Sequence, residues 1–250
     1  MNNLETIRIQ IQELQRQGTG KALHTLLEML NSGNEETMIE VIEALPSFAP
    51  NPTIKAKLIR LSKHGNQVIR FHAVSSLYFF KDEEIEQVMI QALQDPDPLV
   101  QVEAVENLGF FRSYRSIPNL LPLLLHQDEL LRGEVALAIG RMGDMRIVPV
   151  LEKLLLKEQS DTVRVRYYAC LYLLDQQNYF QPLLGMLHSP EYKTRRATAN
   201  LLSEFVHEKD VEWVSLALRA RLRHERTGKV RTALENALEE IESKFGKQYG

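Results

Sequence analysis

Apolar residues recur every three or four positions along almost the whole chain, which is the pattern of amphipathic helices. Residues 128–156 show the recurring unit most plainly. Asp128 is a good N-cap for one helix, and Gly140 and Gly143 are expected to end that helix before the next helix of the chain begins. Neither helix can bury its apolar stripe alone, so the unit needs neighbours of its own kind. The two stripes fall at Leu131, Val135, Ile139, Ile147, Leu151 and Leu154.

The unit recurs seven times along the chain. Alignment on the central apolar residue of each second helix gives steps of 32, 31, 31, 34, 28 and 37 residues. An aliphatic residue follows four positions later in every copy. Such a period indicates a repeat architecture. The seven central residues, which we call anchors, are Val41, Ala73, Ala104, Val135, Ala169, Ala197 and Leu234.

The periodicity predicts an N-terminal cap helix within residues 1–18, followed by seven helical pairs. No segment has the pattern of a strand, and no linker is long enough to divide the chain. We therefore expect a single domain over residues 1–250, closed by a C-terminal capping pair at 209–245. The predicted pairs are 21–31 with 35–48, 52–64 with 66–80, 83–94 with 97–111, 115–126 with 128–142, 145–157 with 161–176, 178–188 with 190–206, and 209–224 with 227–245.

A capping residue recurs seven positions before the anchor, and an arginine recurs three before it. The phrase reads Asn66-Gln-Val-Ile-Arg-Phe-His-Ala in one copy and Thr162-Val-Arg-Val-Arg-Tyr-Tyr-Ala in another. It resembles the HEAT repeat, most closely the short bacterial variety named after phycobilisome lyases, over roughly residues 20–245. The resemblance implies an all-α, right-handed α-solenoid of about seven HEAT-like helical pairs, and it fixes no activity.

We expect the recurrent arginine to be structural. It should reach the capping Asp or the carbonyl end of a neighbouring helix. The sixth copy departs from the phrase, because it has Lys193-Thr194 where Val-Arg is expected. The second, third, fourth, fifth and seventh copies carry Arg70, Gln101, Arg132, Arg166 and Arg231 at this position.

Composition narrows the classes of function. The 250 residues carry a formal net charge of -3, which does not indicate a strongly basic DNA-binding protein. The single cysteine cannot form an intrachain disulfide, which fits a reducing compartment. No secretory signal and no membrane span can be recognised. We therefore expect a cytoplasmic protein that does not enter a membrane.

The sequence offers little catalytic chemistry. No two histidines lie within four residues of each other, so no helical zinc pair is indicated. Cys170 follows an anchor and is expected to be a buried, inert thiol. Gly140-Arg-Met-Gly143 follows a helix, so we interpret it as a turn and not as a phosphate loop. We predict no catalytic residue, no metal and no cofactor, and no small-molecule substrate is evident.

The second helices of HEAT-like solenoids line the concave side. We expect positions one before, three after and six after the anchor to face that side. Tyr and Arg are the residues that binding grooves favour. Alternatively, this face is merely solvated, and its tyrosines fill a repeat junction. Phe79 and Phe110 stand at helix ends and are expected in the core. The predicted protein-binding residues are Glu103, Asn107, Glu134, Arg141, Tyr168, Tyr172, Arg196 and Asn200.

Two alternatives to a binding scaffold stay open. HEAT-like alkylpurine DNA glycosylases hold damaged DNA on a basic concave face, and by that resemblance the chain could bind nucleic acid. Against this, it has one tryptophan, Trp213, and its middle repeats offer Glu103 and Glu134. The basic segment 216–226 could meet phosphates, although the helix dipole also favours cations at a helix C-terminus. The other alternative is a bilin lyase-like subunit.

The favoured interpretation is a non-catalytic scaffold or adaptor that binds a partner protein on its concave face. Nucleic acid is not favoured as a partner. On this interpretation, alanine at Tyr168 and Tyr172 should weaken partner binding and leave the melting temperature nearly unchanged.

Overall fold

The computed structural model describes residues 3–32 and 34–246. Within these two ranges, every regular element is an α-helix or a short 3-10 turn. The all-α solenoid class of helical pairs is therefore confirmed. The chain divides into two compact units, residues up to Asn119 and residues from Leu120 onward, which we call the first and second units. The single domain over residues 1–250 stays a prediction.

The first unit contains the leading helix and three helical pairs. Short connections make the two helices of a pair antiparallel neighbours. Two 3-10 turns, Leu45–Phe48 and Leu77–Phe80, extend the second helices of the first two pairs. The helices are α1 (Asn3–Gln17), α2 (Gly20–Ser32) paired with α3 (Glu35–Ala44), α4 (Pro52–Leu61) with α5 (Gln67–Ser76), and α6 (Glu83–Ala92) with α7 (Pro98–Phe111).

The remaining pairs follow the predicted order. The first helix of the fourth pair is short, because Pro122 lacks the N–H that an α-helix needs there, and a 3-10 turn, Leu121–Leu125, continues it. The helices are α8 (Ile117–Leu120) with α9 (Glu129–Met142), α10 (Val148–Leu155) with α11 (Asp161–Leu173), α12 (Phe180–Gly185) with α13 (Tyr192–Phe205), and α14 (Val211–His224) with α15 (Gly228–Phe245).

Side-chain caps begin several second helices as the sequence predicts. The Asp128 carboxylate accepts the Leu131 N–H at 2.9 Å, which satisfies a free donor in the first turn of α9. At the other end, Gly143 adopts a φ of 77° and ends α9. Gly140 lies inside the helix, so the prediction that it helps to end α9 is wrong.

Gly140 and Gly133 allow α9 and α11 to approach each other closely. A Cβ on Gly140 would lie 2.7 Å from Sγ of Cys170, and a Cβ on Gly133 would lie 2.1 Å from Cδ of Arg166. Both distances are too short for any larger residue without movement. The glycines therefore serve helix packing in the second unit.

The recurrent arginine joins consecutive repeats. Nη1 of Arg70 donates to the carbonyls of His64 and Gly65 after α4, at 3.0 and 3.1 Å. Its Nε and Nη2 hold the Asp95 carboxylate at 2.7 and 2.8 Å. Asp95 also accepts the N–H of Asp97, the N-cap of α7, at 2.9 Å. The arginine thus reaches carbonyls as predicted, but its acidic partner lies two residues before the next cap.

An arginine–carboxylate bridge of this kind links every second repeat to the repeat that follows it. In the third, fifth and seventh repeats, a carboxylate stands two residues before the N-cap. In the second, fourth and sixth repeats, a histidine or serine at that place accepts the N–H of the N-cap residue. The arginine of an even-numbered repeat therefore binds the carboxylate of the next repeat. The bridges are Arg70–Asp95, Arg132–Glu158 and Arg195–Glu225.

The sixth repeat is displaced by one residue from the sequence alignment. Nη1 of Arg195 donates to the carbonyls of Ser189 and Pro190 at 2.9 Å, as Arg70 does in the second repeat. Thr198, which is fully buried, therefore takes the anchor position that was predicted for Ala197. The repeat is regular once it is counted from this residue.

Candidate functional site

The open face of the second helices lies about one residue away from the binding face that the sequence predicts. Position three after the anchor is buried in repeats one to five, whereas position two after it is partly open in the first unit. The buried residues are Ala44, Ser76, Asn107, Ala138 and Tyr172, and the open ones are Glu43, Ser75 and Glu106.

Asn107 and Glu134 are buried, so their expected exposure is wrong. Nδ2 of Asn107 donates to the Val74 carbonyl of α5 at 3.1 Å, which places the amide between α5 and α7. The Glu134 carboxylate accepts Nε of Arg166 at 2.7 Å and is 8% exposed. Both side chains have internal partners, because a buried polar group without one is costly. Neither can present a polar surface to a partner protein.

Tyr172 is also fully buried, so its expected place on an open groove is wrong. Its ring stacks on Phe180 and His207, with centroids at 5.2 and 4.4 Å. Its hydroxyl donates to Asp210 at 2.8 Å and accepts the His207 N–H at 3.0 Å. Burial foremost raises the pKa of this tyrosine. The alternative, in which Tyr172 fills a repeat junction, describes it correctly.

Arg141, Arg196 and Asn200 keep some access to solvent. Nη2 of Arg141 donates to Glu204 at 2.8 Å, and its guanidinium lies 5.3 Å from the Phe205 ring centre. Arg141 thus links α9 to α13 inside the second unit. Arg196 and Asn200 are exposed on α13. Their role in binding stays a prediction.

Tyr168 is half-buried at a side-chain cluster. Its hydroxyl accepts Nη2 of Arg164 at 2.9 Å, and its ring stacks on Tyr179 at 6.0 Å. It therefore sits apart from the buried Tyr172 instead of forming a pair of anchors with it.

An exposed aromatic cluster in the first unit was not predicted. Phe79 and Phe110 are 58% and 50% exposed, and Tyr78 is 43% exposed. The Tyr78 ring contacts Phe79 at 5.4 Å and Phe110 at 5.9 Å between centroids. We call Tyr78, Phe79 and Phe110 the aromatic patch. The expectation that both phenylalanines belong to the core is wrong.

The patch was missed because its residues lie at helix ends. Position six after the anchor leaves the packed part of the helix, and in α5 the chain has already turned into the 3-10 segment Leu77–Phe80. Their neighbours Phe80 and Phe111 take the core positions. The doublets Phe79-Phe80 and Phe110-Phe111 were the available signal, since one helix face cannot bury both members of a doublet.

A row of carboxylates leads toward the patch along the same surface. Glu103, Glu106 and Phe110 are spaced i, i+3 and i+7 on α7, which puts them on one helix face. Nδ1 of His72 on α5 lies 3.0 Å from Glu43 of α3. Burial raises the pKa of Glu103, although a hydrogen bond with Ser75 and the charge of His72 oppose that shift. We call Glu43, Glu103 and Glu106 the carboxylate row.

The basic segment 216–226 is partly neutralised within the second unit. Arg219 pairs with Glu242 at 3.1 Å, and Arg221 pairs with the buried Glu225 at 2.7 Å. Trp213, near the start of α14, is 63% exposed. Two of the arginines in this segment are therefore used in ion pairs, which leaves less positive charge available to a ligand than the sequence suggests.

Comparison with known proteins agrees with this architecture. The sequence matches the family described as HEAT repeats over residues 85–169. The chain therefore contains HEAT repeats, which this match places at residues 85–169. A comparison with curated protein sequences found no match.

Solved structures resemble the HEAT-repeat protein in fold. The complex of CpcE and CpcF of phycocyanin lyase from Nostoc sp. PCC7120 matches at 17% identity and a TM-score of 0.64, over 86% of this chain and 93% of that one. YibA of E. coli matches at 15% identity and a TM-score of 0.53, over 92% and 95%. Human deoxyhypusine hydroxylase in complex with glycerol matches at 18% identity and a TM-score of 0.45, over 94% and 98%. At these identities the first two likenesses concern the fold alone, and the third, with a TM-score below 0.5, does not establish a common fold.

Cys170 is buried as predicted, and this burial raises the pKa of its thiol to about 12. Among residues 3–32 and 34–246, no group of three or more His, Cys, Asp or Glu side chains is arranged to hold a metal ion. In that same part of the chain, no helix combines the length and the apolar composition needed to cross a bilayer.

Proposed function

We propose that this HEAT-repeat protein is a non-catalytic cytoplasmic scaffold that binds another protein through the second-helix face of its first unit. The aromatic patch carries the proposal. Clustered exposed aromatic rings are uncommon on a surface that contacts only water, and aromatic anchors dominate the energetics of protein interfaces. The site thus differs from the tyrosine groove that the sequence analysis favoured.

The surroundings of the patch support a docking role. Phe79 borders a shallow groove with Pro50, Pro52 and Lys55. Because the inner members of both phenylalanine doublets are buried, the backbone that presents the outer rings is fixed by the core. A rigid presentation lowers the entropy lost on binding. CpcE and CpcF of phycocyanin lyase, which share the fold, form a complex with each other, and assembly of this chain with a partner protein is consistent with that example.

The test is a pull-down with the purified full chain from a lysate of the native host, with and without nuclease. The patch variant is Phe79→Ala/Phe110→Ala. The matched control is Leu125→Ala/Leu156→Ala, since these leucines are 75% and 85% exposed in the second unit. We expect a protein that is recovered with wild type and control, resists nuclease and is lost with the patch variant. Equal recovery with the patch variant would contradict the proposal.

The same experiment addresses the nucleic-acid alternative. Recovery that disappears on nuclease treatment would favour a role like that of the alkylpurine glycosylases, and base excision on alkylated DNA would be measured next. Such a complex should also weaken steeply with salt, because phosphate contacts release counterions. The bilin lyase alternative stays a prediction, which absorbance of a bilin transferred to a partner would test.

A further inference from the structure

We infer that the partner segment is a cationic amphipathic peptide, whose apolar side chains contact the aromatic patch and whose Lys or Arg side chains contact the carboxylate row. This inference rests on the proposed function and names the chemistry of the partner. It depends on two features of one surface, an apolar anchor site and a neighbouring line of negative charge.

The row and the patch are continuous. On α7, Glu103 and Glu106 precede Phe110 by seven and four residues, so all three side chains leave the same helix face. On the neighbouring α5, His72 and Ser75 stand at the positions of Glu103 and Glu106, and Phe79 follows in the 3-10 turn Leu77–Phe80. Ser75 of α5 is close enough to Glu103 of α7 to oppose the rise in the Glu103 pKa, so the two helices meet along this surface. A helical or extended segment that lies along α7 can therefore meet both features.

The negative charge of the row is incompletely balanced. Glu40, at the far end of this surface, is paired with Arg8 at 2.6 Å. Glu43 is 54% exposed, and its ion-pair partner is the imidazole of His72, which carries a charge only when protonated. The Arg8 guanidinium also acts on Glu43, but more weakly than on Glu40, with which it is hydrogen-bonded. The pKa of Glu103 is raised, because burial disfavours its charged form more than Ser75 and His72 stabilise it. The charge of this carboxylate is therefore also incompletely compensated. A partner cation would stabilise these carboxylates.

The cations beside the patch do not reverse this balance. Lys55 is held between Asp82 at 2.5 Å and Glu84 at 2.6 Å. Lys81 lies 5.7 Å from the Phe111 ring centre and lines the groove that Phe79 borders, so it is one cation against the three carboxylates of the row. The charge along the row therefore remains negative, which favours a basic partner and disfavours an acidic one.

The test is a selection from a random peptide-display library on the full chain. Peptides that also bind Phe79→Ser/Phe110→Ser are removed by counter-selection, so the remaining ones depend on the aromatic patch. We expect them to combine aromatic or aliphatic residues with an excess of Lys and Arg. Neutral or acidic patch-dependent peptides would overturn the inference and leave the proposed function standing. Absence of any patch-dependent peptide would count against both.

A second measurement uses the best selected peptide and fluorescence anisotropy. Glu43→Gln/Glu103→Gln should weaken its binding about tenfold, because two charge pairs are lost. The matched control, Glu235→Gln/Glu239→Gln, removes the same charge from exposed positions on α15. Raising the salt concentration should reduce the difference between wild type and the row variant. Equal affinity of the row variant and the control variant would refute the role of the carboxylate row.

Discussion

Helix α7 of the first unit and helix α9 of the second unit use the same repeat positions in opposite ways. One residue before the anchor, α7 carries the partly exposed Glu103, whereas α9 carries Glu134, which is buried against Arg166. Two residues after the anchor, Glu106 of α7 is partly open, whereas Leu137 of α9 is buried. Helix α7 therefore offers these positions to solvent, whereas helix α9 uses them for packing.

Glycine accounts for much of the difference. Two residues before the anchor, α9 has Gly133, whereas α7 has Val102. With Gly140 one heptad later, α9 offers a strip without side chains to Arg166 and Cys170 of α11. The comparison teaches that helix phase alone does not assign a binding face. The distance to the next helix also decides whether a position is open.

The largest effect should come from Tyr172→Ala in the second unit. Removing a fully buried aromatic side chain should lower the free energy of unfolding by about 4 kcal/mol. Phe79→Ala, an aromatic truncation on the open face of the first unit, is the control and should change it by less than about 0.5 kcal/mol. Urea denaturation followed by circular dichroism measures both. Similar losses in the two variants would remove the contrast between the units.

Glu225→Gln should cost about 3 kcal/mol, because it leaves the Arg195 charge buried and uncompensated. The hydrogen bond from Arg195 is the main cause that lowers the Glu225 pKa. A carboxylate with a lowered folded-state pKa stabilises the fold above its unfolded pKa, near 4.3, and this stabilisation is lost as the pH falls further.

The wild-type unfolding free energy should therefore decrease more steeply below about pH 4.5 than that of the Glu225→Gln variant. Asp95→Asn breaks the corresponding bridge in the first unit and should cost less, since Asp95 pairs with one arginine and Glu225 with two. Parallel pH profiles for wild type and Glu225→Gln would argue against the assigned role of Glu225.

Gly140→Ala should destabilise the protein by about 2 kcal/mol, because the new Cβ would overlap Sγ of Cys170. Cys170 is also the only cysteine in the sequence, so its labelling by a maleimide reports opening between α9 and α11. We expect faster labelling in the variant. Gly185→Ala is the matched control in the same unit, since a Cβ there has no neighbour within 4 Å. An unchanged labelling rate would mean that the new Cβ is accommodated without opening the contact between α9 and α11.

The smallest effect on stability should come from Phe79→Ser/Phe110→Ser. Both rings remain about half exposed, so their loss should change the free energy of unfolding by less than about 1 kcal/mol while partner binding is lost. Calorimetry of the variant, alongside the pull-down, separates binding from folding. A large decrease in melting temperature would assign the rings to the core after all.

Periodicity was sufficient to predict the helices. The apolar stripes and the capping residues predicted all seven pairs, with ends within a few residues of the structure, because both depend on the local sequence. The sixth anchor was placed at Ala197 instead of Thr198, because an apolar residue was favoured over a buried threonine. Thr198 satisfies its hydroxyl by donating to the Thr194 carbonyl at 2.7 Å, which no sequence pattern reveals.

The candidate site was harder to predict, because exposure depends on contacts between repeats. Tyr172 has the residue type of a binding anchor, but Phe180 and His207 from later in the chain cover it. Phe79 has the residue type of a core residue, but the chain turns before it reaches the packed layer. In both cases the residue type alone was misleading, because the surroundings that decide exposure could not be deduced from the sequence.

The alternation of the arginine–carboxylate bridges has a consequence for engineering the protein. If each bridge couples an even-numbered repeat to the next one, the smallest transferable module is a doublet of about 60 residues and not a single repeat. A deletion or duplication that respects the doublets, such as one that moves Arg132 and Glu158 together, keeps each guanidinium with its acid. A cut inside a doublet leaves one charge of the bridge without its counterpart, so two variants of equal length should differ in yield and solubility.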